Sequence, residues 1–249
     1  MKSILSILTL SACYIIIGWS SSTKACKNSS YIIEQAKRTY DAKNTWQTST
    51  LEAHIQEPRV GLPHRYSELR LNNDGSYFDL KRENKIGTVI HRTLNSNGDH
   101  HITLNGMRNL TEQQIEKYVL TKEKTAQSKE FYELLYGMPM SLTKERWKQI
   151  SAAKSVIFKG KKAYEINLEM QKKWVSSYWQ LYIDREHHRI LAIKFNESTT
   201  ENSPGELLYF EDDLFEINGY QIPRIRHWYS KDPEEGYLGS DIIVDQLTN

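Results

Sequence analysis

Between Trp46 and Gly106 the chain is written in short alternating runs cut by turn signals, and this pattern restricts the fold more than any other feature. Residues 66–71, 77–80 and 88–91 read as strands. Asn73-Asp74-Gly75 and Asn97-Gly98-Asp99 read as hairpin turns, because Asn and Gly tolerate the left-handed backbone such turns need. Side chains on a strand alternate between two faces, so the segment predicts an antiparallel meander with one buried face. The same period returns later, where Tyr164, Ile166, Leu168 and Met170 alternate with Ala163, Glu165, Asn167 and Glu169. Trp179, Leu181 and Ile183 continue it, as do Leu191, Ile193 and Phe195 beyond a turn at Asp184-Arg185-Glu186. Residues 206–216 and 220–229 flank Asn218-Gly219 and predict one more hairpin. Pro223, which has no amide hydrogen to donate, marks an edge or a bulge there.

Two stretches carry the helical period instead. Ile32, Ile33, Ala36 and Tyr40 share one helix face, with Ser29 or Ser30 as N-cap. Thr111-Glu112-Gln113-Gln114 has the form of a capping box. Ile115, Tyr118 and Val119 then supply one apolar face, residues 121–129 are polar, and Phe131, Leu134 and Leu135 supply another before Gly137 and Pro139 end the helix. No Pro/Gly/Ser-rich linker, low-complexity tract or repeat divides the chain. Residues 26–249 are expected to form one α+β domain with a helical insertion at about 111–142.

The first twenty-five residues stand apart: Met1-Lys2, an apolar run over 4–19, then Ser20-Ser21-Ser22-Thr23-Lys24-Ala25. A basic start, an apolar middle and a small, polar tail form the layout of a secretory signal, and the run is short for a membrane span. Leu10-Ser11-Ala12-Cys13 reads as a lipobox. Cys26, followed by polar residues, is the competing attachment site, and attachment at neither is the third reading. The chain is therefore expected to be exported, to the periplasm or tethered to an envelope membrane. Removing residues 1–25 takes Lys2 and Lys24, leaving 31 basic residues against 31 acidic ones. A neutral body speaks against nucleic-acid binding, which draws on a basic excess. At most one cysteine survives, so neither an internal disulfide nor a cysteine-based zinc site is expected.

Motifs for chemistry are sparse. There is no Gly-x-Ser-x-Gly, no His-Glu-x-x-His and no phosphate-binding glycine loop. Asp99-His100-His101 and Glu186-His187-His188 look metal-like, but neighbouring residues on a strand point apart, and the two turns would have to meet to hold an ion. Glu211-Asp212-Asp213 reads as a solvated acidic cluster. We expect no enzyme, no cofactor and no metal.

Tyr40-Asp41-Ala42-Lys43-Asn44-Thr45-Trp46, Gln56-Glu57-Pro58-Arg59 and Leu104-Asn105-Gly106 resemble segments of an uncharacterised family of bacterial secreted proteins and lipoproteins. So do the residues from Phe131 through Tyr136-Gly137-Met138-Pro139 to Leu142, Gly160-Lys161-Lys162-Ala163-Tyr164 and the residues from Tyr178 to Asp184. That family looks like a relative of the LolA/LolB/LppX-type lipoprotein carriers. The resemblance implies an N-terminal helix and a strongly curved antiparallel sheet, an unclosed barrel whose mouth is plugged by helices. It implies an acyl chain, lipid or lipoprotein as partner, and it brings no catalytic motif.

A half-open barrel exposes an apolar concave surface that its own side chains, a lid or a lipid must fill. Residues 111–142 are the candidate lid. Phe131, Tyr132 and Tyr136, with the adaptable Met138 and Met140, are candidate ligand contacts. Trp46 and Trp179 are candidates as well, and Trp174 and Trp228 also stand within the reckoning. A monomeric, non-enzymatic carrier of a hydrophobic ligand is the first expectation. A protein-interaction module with a self-filled core is the second.

Overall fold

The predicted meander is one arm of a single 13-stranded antiparallel sheet in the computed structural model, which describes residues 28–84, 87–200, 204–231 and 236–247. The expected leader over 1–25, Cys13 and Cys26 lie outside the described residues. Helix α1 (Ser29–Tyr40) precedes strands β1 (Thr50–Glu57), β2 (Arg65–Asn72), β3 (Tyr77–Asn84), β4 (Val89–Asn95) and β5 (His100–Leu104). Helices α2 (Glu112–Tyr118) and α3 (Lys122–Tyr136) follow, then β6 (Trp147–Ile150), β7 (Lys154–Phe158), β8 (Lys161–Met170), β9 (Tyr178–Asp184) and β10 (Ile190–Asn196). The chain ends with β11 (Gly205–Phe210), β12 (Leu214–Ile217), β13 (Tyr220–Pro223), β14 (Ile225–Tyr229) and β15 (Tyr237–Asp245).

Strand order runs β5-β4-β3-β2-β1-β15-β14-β11-β10-β9-β8-β6, with β7 beside β6 on the outer edge of β8. The last strand thus joins a meander of consecutive hairpins, β1–β5, to a second antiparallel arm, β6–β11 and β14. Gly239 lets them approach: a Cβ there would sit 2.4 Å from the Pro58 carbonyl oxygen, and its φ of +145° suits glycine alone. The two ends of the order, β5 and β6, are not paired with each other among the described residues, so the sheet is an unclosed barrel. Its inward side holds the core, together with Ile32, Ile33, Ala36 and Tyr40 of α1, the second half of α3, residues 137–142 and the β12–β13 ribbon.

Several expectations change in detail. The cap of α1 is Asn28, whose Oδ1 accepts from the Ser30 amide, rather than Ser29 or Ser30; Ser29 instead donates to the Ser151 carbonyl, 2.5 Å away. The capping box at Thr111 and Gln114 is present. The face of Ile115, Tyr118 and Val119 is not buried, because α2 is a short helix with no buried residue that ends in a left-handed Val119. The predicted long hairpin around Asn218 is two structures. β12 and β13 pair only with each other, while β11 reaches past them to pair with β14. Pro223 sits in the two-stranded ribbon, where a missing donor is tolerated. β6 and β7 escape the sequence reading because they are four and five residues long, mostly exposed, and show no clean alternation.

Candidate functional site

Cross-strand rows on the inward face of the first arm grade from apolar to charged. Leu51, Leu71, Phe78 and Leu94 form one row across β1–β4, and Ala53, Leu69, Leu80 and Arg92 form the next. Ile55, Ser67, Arg82 and Ile90 follow, and Glu57 faces Arg65 beyond them. On the second arm Leu208 and Trp228 share a row, and the next holds Phe210, Arg226 and Asp241. One register rule therefore builds both an apolar end and a charged end.

At the charged end Glu57 is 2% exposed. Its Oε1 accepts from Arg82 Nη2 at 2.7 Å, Ser67 Oγ at 3.0 Å and the Tyr132 hydroxyl at 3.1 Å, and its Oε2 lies 2.8 Å from Arg65 Nη2 and 3.4 Å from Arg59 Nη2. Burial alone would raise its pKa. The guanidiniums of Arg82, Arg65 and Arg59 outweigh burial, and the carboxyl is held below its ordinary value. Burial likewise opposes the charge of Arg82, but Tyr132 and Glu57 prevail and raise its pKa. Arg82 also donates to the Tyr132 hydroxyl, which burial keeps protonated. Asp241 is equally buried. It accepts from Arg59 Nη2 at 2.5 Å and from Trp228 Nε1 at 2.9 Å.

Arg226 is the exception in this network. It pairs across the strands with Asp241, yet Asp241 accepts from Arg59 and Trp228 and not from Arg226. Its side chain is wholly buried, and Nε, Nη1 and Nη2 all lack a hydrogen-bond partner among the described residues. The guanidinium carbon lies 4.1 Å from the centre of the Tyr136 ring, a cation–π contact. Burial lowers its pKa.

The structure gathers the sequence-predicted residues into one cluster. Trp46, Tyr132, Tyr136, Met138, Met140 and Trp179 are all buried in the main core, and Phe131, Trp174 and Trp228 pack against it half-buried. Phe131 stacks on Trp228 at 6.3 Å, Trp228 on Phe195 at 6.0 Å, and Tyr132 leans on Tyr136 at 5.0 Å. The candidate lid is held in two ways. The second half of α3 and residues 138–142 are buried, whereas α2 is tied down by Arg92, whose Nη2 donates to the carbonyls of Val119 at 2.9 Å and Tyr118 at 3.4 Å. A hollow of about 270 Å³ lined by Asn167, Gln180 and Asn196 reaches Trp179 and Leu168. A larger one of about 610 Å³, lined by Lys161, Arg185, Arg189 and Asp212, lies at the β9–β10 turn.

The histidine pairs part company. His100 and His101 lie on edge strand β5, while His187 and His188 occupy the β9–β10 turn, where His187 Nδ1 is 3.3 Å from Asp184. In the acidic cluster Asp212 pairs with Arg189 and Glu211 accepts from His227. Sequence reading missed a row across β15, β14 and the end of β11: Ser240 Oγ is 2.7 Å from His227 Nδ1, whose Nε2 is 3.1 Å from Glu211 Oε1. It has the order of a nucleophile, a base and an acid. However, Ser240 is 3% exposed, Tyr237 holds its hydroxyl, and its amide donates to the Pro58 carbonyl. The row ties β14 to β15 and leaves neither a free nucleophile nor a free amide at Ser240.

Comparison with solved structures gives the fold. A domain from Vibrio parahaemolyticus described as an outer membrane lipoprotein-sorting protein matches with a TM-score of 0.51 at 12% identity, over 86% of this chain and 89% of that one. A LolA superfamily protein from Nitrosomonas europaea gives a TM-score of 0.49 at 10% identity, over 90% and 94%. A DUF1329 family protein from Desulfovibrio piger gives 0.46 at 14%, over 88% and 94%. The first of these shares the unclosed-barrel architecture, as the LolA-like resemblance implied. No curated protein matches the chain. The sequence model of a family of unknown function (DUF6503) matches residues 6–246, and the chain belongs to that family.

Proposed function

We propose that the protein is a cell-envelope carrier or binding module that holds a hydrophobic ligand, a lipid, acyl chain or lipoprotein, against the inward face of its half-barrel without transforming it. One observation carries this reading. The apolar rows of an unclosed sheet are covered by helices and the small β12–β13 ribbon, and the cover includes a helix with no buried residue of its own. A cover with α2 on the outside can be lifted at the cost of the Arg92 bonds and the packing of Tyr132, Tyr136, Met138 and Met140. Those side chains, with Phe131, Trp46 and Trp179, are the proposed ligand contacts. Export through the 1–25 leader, with Cys13 or Cys26 as lipid attachment site, would put the carrier where such ligands are sorted.

A second reading keeps support from a different observation. Tyr132, Tyr136, Met138 and Leu142 are at most 2% exposed, so the inward face is already filled by the chain itself. That favours a protein-interaction module with a dry core. Native mass spectrometry of protein extracted from its own envelope separates the two: co-purifying lipid is expected for the carrier, and repeated recovery of ligand-free protein with a stable protein partner would overturn it. Fatty-acid probe labelling of Cys13→Ser and Cys26→Ser variants identifies the tether, and label kept in both single variants would mean neither cysteine alone carries it.

A further inference from the structure

Four guanidiniums, of Arg59, Arg65, Arg82 and Arg226, converge on two buried carboxylates, Glu57 and Asp241. Buried charge is ordinarily matched, because an unpaired ion forfeits its hydration with nothing in return. Glu57 and Asp241 engage the first three arginines, and neither makes a hydrogen bond to the fourth. Arg226 offers its donors in a flat fork that suits the paired oxygens of a carboxylate or phosphate. All three of its nitrogens are unpartnered among the described residues, and its guanidinium is capped by the Tyr136 ring, which belongs to the end of the movable cover.

We infer that Arg226 is the anchor for an oxyanion, a carboxylate or phosphate group, that replaces the Tyr136 ring when the cover lifts. This deepens the carrier reading and rests on it: the ligand is an amphiphile with an anionic head, its head at the charged end and its chain along the apolar rows that begin at Leu51, Leu71 and Phe78. The juxtaposition explains why a guanidinium stands in a position where leucine or methionine would pack without any electrostatic cost. Tyr136 serves as the neutral placeholder, since a ring face attracts a cation less strongly than an oxyanion does.

Fluorescence titration of the full chain with cis-parinaric acid and with its methyl ester tests the inference, since the two share a chain and differ in the charge of the head. The acid is expected to bind about tenfold or more tightly than the ester, the margin of a charge-assisted hydrogen bond. Arg226→Met should erase that margin, weakening the acid about tenfold or more relative to the ester. Equal binding of acid and ester by the wild type overturns the anchor while leaving the carrier reading intact, and it needs no variant. A margin that survives in Arg226→Met overturns the anchor as well. If neither probe binds, the carrier reading fails and inorganic phosphate decides the site alone. A rise in melting temperature with millimolar phosphate in the wild type, absent in Arg226→Met, assigns the guanidinium to a free anion, and no rise overturns the inference.

Discussion

The two ends of the inward face are held by opposite physics. At the apolar end Leu51, Leu71, Phe78, Met138 and Leu142 are stabilised by area removed from water, a non-directional force that tolerates rearrangement. At the charged end Glu57, Arg82, Tyr132 and Asp241 are stabilised only while each keeps its partner. The difference teaches where the molecule can give. Apolar area uncovered by a moving helix can be covered again by a lipid chain, whereas an ion pair cut in half finds no substitute there. Accordingly the cover meets the ion network around Glu57 through one neutral hydroxyl, that of Tyr132.

The largest expected effect breaks the charged end. Glu57→Ala leaves Arg65 and Arg82 without their carboxylate and Arg59 with Asp241 alone, and should cost about 3–5 kcal/mol in urea unfolding. A loss below about 1 kcal/mol would mean that water already satisfies those arginines. The same carboxylate makes stability acid-sensitive. Its folded pKa lies below its ordinary value of 4.5, so its contribution is complete above that pH and is lost as the pH falls through the depressed folded value. The gap between wild type and Glu57→Ala should therefore narrow below pH 4.5, and a gap that widens there would reverse the assigned sign.

At the apolar end Met138→Ala should cost about 2–4 kcal/mol, since the wholly buried side chain leaves a cavity. Unlike that of Glu57→Ala, its loss should not narrow as the pH falls below 4.5. Arg226→Met tests the opposite sign. Replacing an unpaired buried charge by an apolar side chain of similar length should stabilise the protein by about 1–3 kcal/mol in the same assay. A destabilisation of that size would show that Tyr136 and Asp241 already compensate the charge.

Much of this contrast is legible in the sequence, and what is not has a physical cause. The apolar rows follow from a period of two, so β2, β3, β8, β9 and β10 are visible in single strands. The aromatic and methionine residues of 131–140 announce a buried cluster because nothing else disposes of so much apolar surface. The charged end is invisible. Glu57 and Arg82 continue the inward period of Leu51, Ala53 and Ile55 and of Phe78 and Leu80, but a charged residue at the end of such a run reads as the strand reaching water, and the partners that bury it, Tyr132 among them, lie far away in the sequence. Arg226 lies among Pro223, Arg224 and His227 in a run that reads as a polar edge. Only the pairing of β14 with β15, which sets Arg226 opposite Asp241, carries it into the core. β6 and β7 go unseen because edge strands need bury little and so keep no pattern.

The smallest expected effect sharpens the contrast at the cover itself. Thr111 and Gln114 close a capping box on α2, and such a cap is worth about 1 kcal/mol of helix stability. In a helix that buries residues, that loss would pass into global stability. α2 buries none and is tied to the sheet through the Arg92 guanidinium at its far end. Thr111→Ala should therefore leave the urea midpoint within about 0.5 kcal/mol of wild type. Amide exchange over 112–118 should meanwhile accelerate about fivefold, because a loss of about 1 kcal/mol falls on local opening alone. Exchange in the second half of α3, anchored by Tyr132, Leu135 and Tyr136, should not change. Faster exchange in both helices would mean that they open as one unit, with the Arg92 bonds and the Tyr132–Glu57 bond breaking in the same step.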